Sequence, residues 1–162
     1  MDIPAQFAGW AALATLPLCF FIIWEDLARL RIRNTSVVIL FAIFCIVAPF
    51  TLHWSVILWH LGAMAITFAI TLLMFELRLM GGGDAKLLTV MAGFCWAGDW
   101  NIILLLASSL FILSFLFHRL ARALGAARIT PNWESWHSKR RFPMGIPLAL
   151  VLISYLALGT VT

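Results

Sequence analysis

Charge is scarce in this chain. Only 11 of its 162 residues are Lys or Arg and 7 are Asp or Glu, 11% in all, where soluble domains carry about 25%. With 64% hydrophobic residues and a mean hydropathy of +1.03, this composition excludes an ordinary soluble domain and implies an integral membrane protein. Paired cysteines are also missing. Cys19, Cys45 and Cys95 stand singly in apolar runs, with no CxxC spacing to build a zinc site or a disulfide framework. His53, His60, His118 and His137 are equally dispersed and form no HExxH pair. No metal, cofactor or nucleic-acid partner is therefore expected. The first residues, Met1-Asp2-Ile3-Pro4, lack the basic region of a secretory signal peptide, so the first hydrophobic segment is expected to stay in the mature protein.

What the chain does have is long apolar runs, at residues 7–24, 37–52, 56–80, 87–97, 102–117 and 144–159. An open sheet cannot span a bilayer, and the alternation of a membrane barrel is absent. The expected fold is all-α, a single polytopic membrane domain over residues 1–162 with six transmembrane helices. The basic residues orient it. Arg29, Arg31 and Arg33 fall in the first connection, and Arg78 and Lys86 flank the third. Arg119, Arg122, Arg128, Lys139, Arg140 and Arg141 fill the fifth. The positive-inside rule makes that face cytoplasmic and leaves both termini outside. Trp54, Trp59, Trp96 and Trp100 cluster near the outer boundary, with Trp24 near the inner one. The fourth run is short. Residues 85–100 make about 24 Å of helix against a hydrocarbon core of about 30 Å, so its cytoplasmic end is expected to be recessed and reached by water. The polar segment 118–142 is expected as a loop on the anionic lipids of the inner leaflet.

Two carboxylates stand out against this background. Asp26 closes the first run, and Asp84 follows Gly81, Gly82 and Gly83 after the third. Acids beside lipid are costly to keep, and two on one side point to acid–base chemistry. Three consecutive glycines propagate a helix poorly, so they are expected to end the third helix while permitting positive φ and close backbone approach. Each feature also has a plainer explanation. Asp84 would serve as the N-cap of the next helix, Asp26 would be a helix-end acid neutralised by Arg29 or Arg31, Asn34 would cap the second helix, and Lys86 would mark the inner face.

The surrounding letters are more specific. Asp26 opens Asp26-Leu27-Ala28-Arg29-Leu30-Arg31-Ile32-Arg33-Asn34, Asp84 sits in Gly81-Gly82-Gly83-Asp84-Ala85-Lys86-Leu87, and a third stretch reads Pro143-Met144-Gly145-Ile146-Pro147. In order and spacing this resembles the type IV prepilin peptidases, membrane aspartyl proteases with an Asp-x5-Ile-Pro-Asn motif, a Gly-x-Gly-Asp motif and a Pro-aromatic-Gly segment. Arg33 stands where the family usually has proline, and Met144 where it has an aromatic residue.

The resemblance implies that Asp26 and Asp84 are the catalytic pair, with Gly81, Gly82, Gly83, Lys86, Asn34, Pro143 and Gly145 binding substrate or shaping the site. It implies removal of a short basic leader from a prepilin or pseudopilin, after a glycine, at the cytoplasmic face of a bacterial inner membrane. The chain looks like the short form that serves tight-adherence (Flp-type) pili or related secretion. Nothing matches the paired-cysteine segment of the larger methylating members, so proteolysis without N-methylation is expected. Two other classes compete. A proton-coupled transporter would use polar residues at mid-depth, where this chain offers only scattered Ser and Thr. A non-catalytic assembly subunit would be favoured by loss of either aspartate.

Overall fold

The computed structural model describes residues 1–138 and 142–161; Lys139, Arg140 and Arg141, counted above among the inward-facing charges, lie outside the described residues. Among those described, the chain is all-α, without a strand. Its helices are α1 (Ala5–Arg29), α2 (Asn34–Thr51), α3 (Trp54–Glu76), α4 (Gly82–Met91), α5 (Trp100–Ala123), α6 (Glu134–His137) and α7 (Gly145–Gly159). Four are long and apolar enough to cross a membrane: α1, α2, α3 and α5 with its preceding turn. The 15-residue α7 and the 10-residue α4 are shorter. Large apolar side chains such as Phe20, Phe50, Trp59 and Phe117 lie on the outside, an arrangement that suits lipid and would be untenable in water.

The core runs along α1 and α7, which make the broadest helix contact; α2 and α5 flank them and α3 packs on α4. Phe7 stacks on Phe94 with ring centroids 6.2 Å apart and meets Phe44 edge-on at 6.3 Å. Leu40, Leu152, Tyr155 and Leu156 complete a fully buried centre. By contrast, α5 buries only Ser114 and His118. Lipid is as apolar as leucine, so a membrane helix can stay in place without burying its apolar faces in protein.

Several boundaries differ from the sequence expectation. The first helix does not stop at the apolar run but continues through Glu25 and Asp26 to Arg29, ending at Leu30 in the left-handed conformation (φ 48°). The third helix ends at Glu76, ahead of the glycines, through a turn with Arg78 at φ 59° that lets the Leu79 amide reach the Met74 carbonyl. The glycines open α4 instead. Gly81 is its N-cap, with φ −71°, and the helix starts at Gly82; the residues thus serve close packing and not a positive φ. The fourth run is not one helix: α4 stops at Met91 and two 3-10 turns, Ala92–Phe94 and Ala97–Asp99, carry the chain to α5. Gly93 lies in the first of these turns, where a Cβ would meet the end of the Met64 side chain of α3. Finally, residues 118–123, expected in a loop, are the last turns of α5. The segment beyond folds back under the bundle, with Trp136 buried and stacked on His118 at 4.8 Å.

Candidate active site

The polar features of the first connection follow from how α1 ends. Asp26 lies in its last turns, 4% exposed, and its carbonyl accepts the Leu30 amide at 2.9 Å. The left-handed Leu30 turns the chain away, and Ile32 then packs inward, also buried. Ile32 meets the second motif backbone to backbone: a Cβ on Gly83 would stand 3.2 Å from the Ile32 Cβ and 3.3 Å from its carbonyl oxygen. Glycine at 83 is what lets the two segments touch.

Asp84 is the third residue of α4, in the first turn, where the helix dipole favours a negative charge. Its side chain bends back toward the N-cap, so that a Cβ on Gly81 would lie 2.8 Å from its Oδ2. Gly82 sits against the ring of Phe75, at 3.2 Å by the same measure. Three glycines are poor helix formers, but each here faces an atom that a methyl group would crowd.

The third motif closes the arrangement. The amide of Gly145, first residue of α7, donates a 2.6 Å hydrogen bond to Asp26 Oδ2. This is one of the four amides that a helix start leaves without an internal partner. A Cβ on Gly145 would fall 2.9 Å from that oxygen and 3.0 Å from the Asp26 Cβ, so the contact requires glycine. Pro143 is fully buried just before it.

Asp26 and Asp84 thereby line one cleft of about 810 Å³, together with Asn34, Lys86, Phe142, Met144 and the three glycines. Lys86 Nζ donates to Asn34 Oδ1 at 3.0 Å, tying the second motif to the first. This corrects two readings made from sequence. Asn34 does not cap α2, whose N-cap is Arg33 without any side-chain bond, and Asp84 does not cap α4.

The residue that sequence reasoning passed over is Glu25. It is 1% exposed, and its Oε1 pairs with Arg33 Nε at 2.5 Å. The acid neutralised in this turn is therefore Glu25, through Arg33 and not through Arg29 or Arg31, leaving Asp26 to the cleft. Arg33, the departure from the motif, thus anchors the turn that a proline would otherwise stiffen. A carboxylate directly beside a candidate catalytic one, eight positions from an unexpected arginine, was the available signal. Phe142 was also missed, being legible only as the end of a polar segment.

Chemically, the cleft offers two acids from distant segments, one oriented by a helix amide, in a polar recess at the end of an apolar bundle. A model of the type IV leader peptidase family matches residues 13–117 of the chain, a stretch that contains both aspartates. No curated protein and no solved structure matches it.

Proposed function

The chain belongs to the type IV leader peptidase family, and on that premise we propose that it is a membrane aspartyl endopeptidase using Asp26 and Asp84 as its catalytic pair. The observation that carries the proposal is their convergence: two acids from separate helices open into one cleft, with Gly145 on one and the Lys86–Asn34 bridge between their motifs. In the mechanism, one aspartate is ionised and takes a proton from a water, whose oxygen attacks the scissile carbonyl. The other is protonated and donates to the carbonyl oxygen; as the tetrahedral intermediate collapses it takes that proton back, and the first aspartate passes the proton it took from water to the leaving amine. Two like charges held close in one site do not both ionise readily, so on this reading the roles are assigned jointly.

The substrate on this reading is a prepilin or pseudopilin with a short basic leader and an apolar helix, cut after a glycine without N-methylation. The helix lies beside the enzyme in lipid while the leader reaches the cleft. The four long helices, with α7 and the fourth segment formed by α4 and its two 3-10 turns as shorter crossings, make six spans with both termini outside and the cleft on the cytoplasmic side of a bacterial inner membrane, as the one-sided basic residues favour.

The test is processing of a co-expressed candidate prepilin by wild type, Asp26→Asn and Asp84→Asn at matched membrane levels. Cleavage by wild type and its loss in both variants supports the pair; cleavage that survives either change removes it and revives the subunit or transporter readings.

A further inference from the structure

A second cavity, of about 420 Å³, lies between α1, α5 and α7. Its walls are apolar: Ile23 and Leu27 from α1, Leu113 and Phe117 from α5, Ile146 and Leu150 from α7. Leu113 and Phe117 are 59% and 74% exposed, so the cavity is a groove open to the surrounding lipid. Two polar side chains interrupt it, Ser114 and His118, one turn apart on the same face of α5. Both are more than nine-tenths buried, at 5% and 7% exposure, and among the described residues neither Ser114 Oγ nor His118 Nε2 has a hydrogen-bond partner. Ser109 on the same helix returns its hydroxyl to the Leu105 carbonyl at 2.7 Å; Ser114 leaves the equivalent bond unmade. Unpaired polar atoms in a low-dielectric wall are costly unless something arrives to meet them.

The groove adjoins the cleft. Asp26 lines the cleft and Leu27 the groove; Gly145 holds Asp26 and Ile146 lines the groove. Between them stands Phe142, a cleft residue whose ring meets His118 at 5.7 Å. A chain with its scissile bond at the two aspartates would then have the groove beside it, across Phe142. A peptide opened out for hydrolysis carries main-chain N–H and C=O groups that lipid cannot satisfy, whereas a lipid acyl chain matches the apolar walls but offers nothing to a hydroxyl or an imidazole. The volume, within the roughly 300–1,000 Å³ of small-ligand pockets, holds a few side chains and not a whole helix.

The geometry points to this groove as the seat of the first apolar residues downstream of the scissile bond, with Ser114 and His118 hydrogen-bonding the substrate main chain there. The inference rests on the peptidase reading above and assigns both residues to binding and selectivity. It is tested in lipid nanodiscs with two substrates: a prepilin carrying its apolar helix, and a soluble peptide of the same leader that ends two residues past the cut. In the double variant Ser114→Ala/His118→Phe, the ratio of kcat/KM for prepilin over that for peptide falls about tenfold, the scale of one or two lost hydrogen bonds. An unchanged ratio overturns the inference, whether both activities hold or both fall together. As a fold-independent check, a benzophenone side chain at Leu113 in the Asp84→Asn protein crosslinks to prepilin; crosslinks to lipid alone overturn it. Wild type that cleaves neither substrate is a different result, since it removes the peptidase reading itself.

Discussion

The two ends of α7 each hold a buried aspartate, and they hold it differently. At the far end, Asp99 receives the Tyr155 hydroxyl on Oδ2 at 2.7 Å and the Asp2 amide on Oδ1 at 3.0 Å, while the same Tyr155 oxygen accepts the Trp96 amide at 2.9 Å. Both oxygens are engaged, and the Trp96 amide between the two 3-10 turns has its partner as well. At the near end, about 15 Å away along the helix, the Gly145 amide engages one oxygen of Asp26 and the group still faces an open cleft beside Asp84. The Asp99 carboxylate has both oxygens taken by hydrogen bonds within the fold, while Asp26 has one on a helix amide and lines the cleft. The contrast is one of occupancy and not of burial, since Asp99 is 5% and Asp26 4% exposed.

The sharpest way to break this comparison is to neutralise each acid in turn. Asp26→Asn and Asp84→Asn are expected to lower prepilin processing by about 10²–10⁴-fold, the usual scale for a lost acid–base group. Asp99→Asn is expected to lower thermal stability and membrane abundance while sparing cleavage per folded molecule. Equal loss of cleavage from Asp99→Asn would dissolve the distinction between the ends. Next in size is Gly145→Ala. The added methyl falls within 3.2 Å of three Asp26 atoms, and displacing a catalytic group by about 1 Å can cost about 10²-fold in rate; initial rates at matched protein levels measure it.

Arg33→Ala addresses the pairing beside the site. It leaves the buried Glu25 without its ion-pair partner, and since the arginine side chain is 47% exposed the expected loss is nearer about 1–3 kcal/mol than the full cost of a buried pair. Thermal unfolding in detergent reads the loss, and adding Glu25→Gln should recover most of it. The smallest effect is expected from Gly62→Ala on α3. Nothing lies within 4 Å of its would-be Cβ, so the change should be neutral or stabilising by up to about 1 kcal/mol, in contrast to the glycine at the start of α7.

Much of the site could be read in the letters because the three motifs each announce themselves locally. Asp84 with its glycines, Asp26 six positions before Ile32, and Gly145 after Pro143 are short strings, and the cleft gathers residues from all three. Glu25 and Phe142 were not legible, because their roles come from partners that only the fold supplies: an arginine across a turn for one, a histidine on α5 for the other. The length of the fourth helix was misjudged as well. The run of apolar letters continues past Met91, but there the chain leaves the α-helix for two 3-10 turns, and hydropathy does not distinguish the two.

The sequence alone determined the solvent and the helix class. Scarce charge and long apolar runs leave a chain no stable option but helices that satisfy their own hydrogen bonds, and the one-sided arginines and lysines set its expected orientation. Only the tertiary structure decided which polar groups are spent on each other and which stay open. Arg33 goes to Glu25, Lys86 to Asn34 and Tyr155 to Asp99, while Asp26 and Asp84 are left facing one cleft. Hydropathy is a sum over neighbours in the chain, but a hydrogen bond or a close glycine contact depends on positions a few ångströms apart in space, and those are known only once the helices have packed.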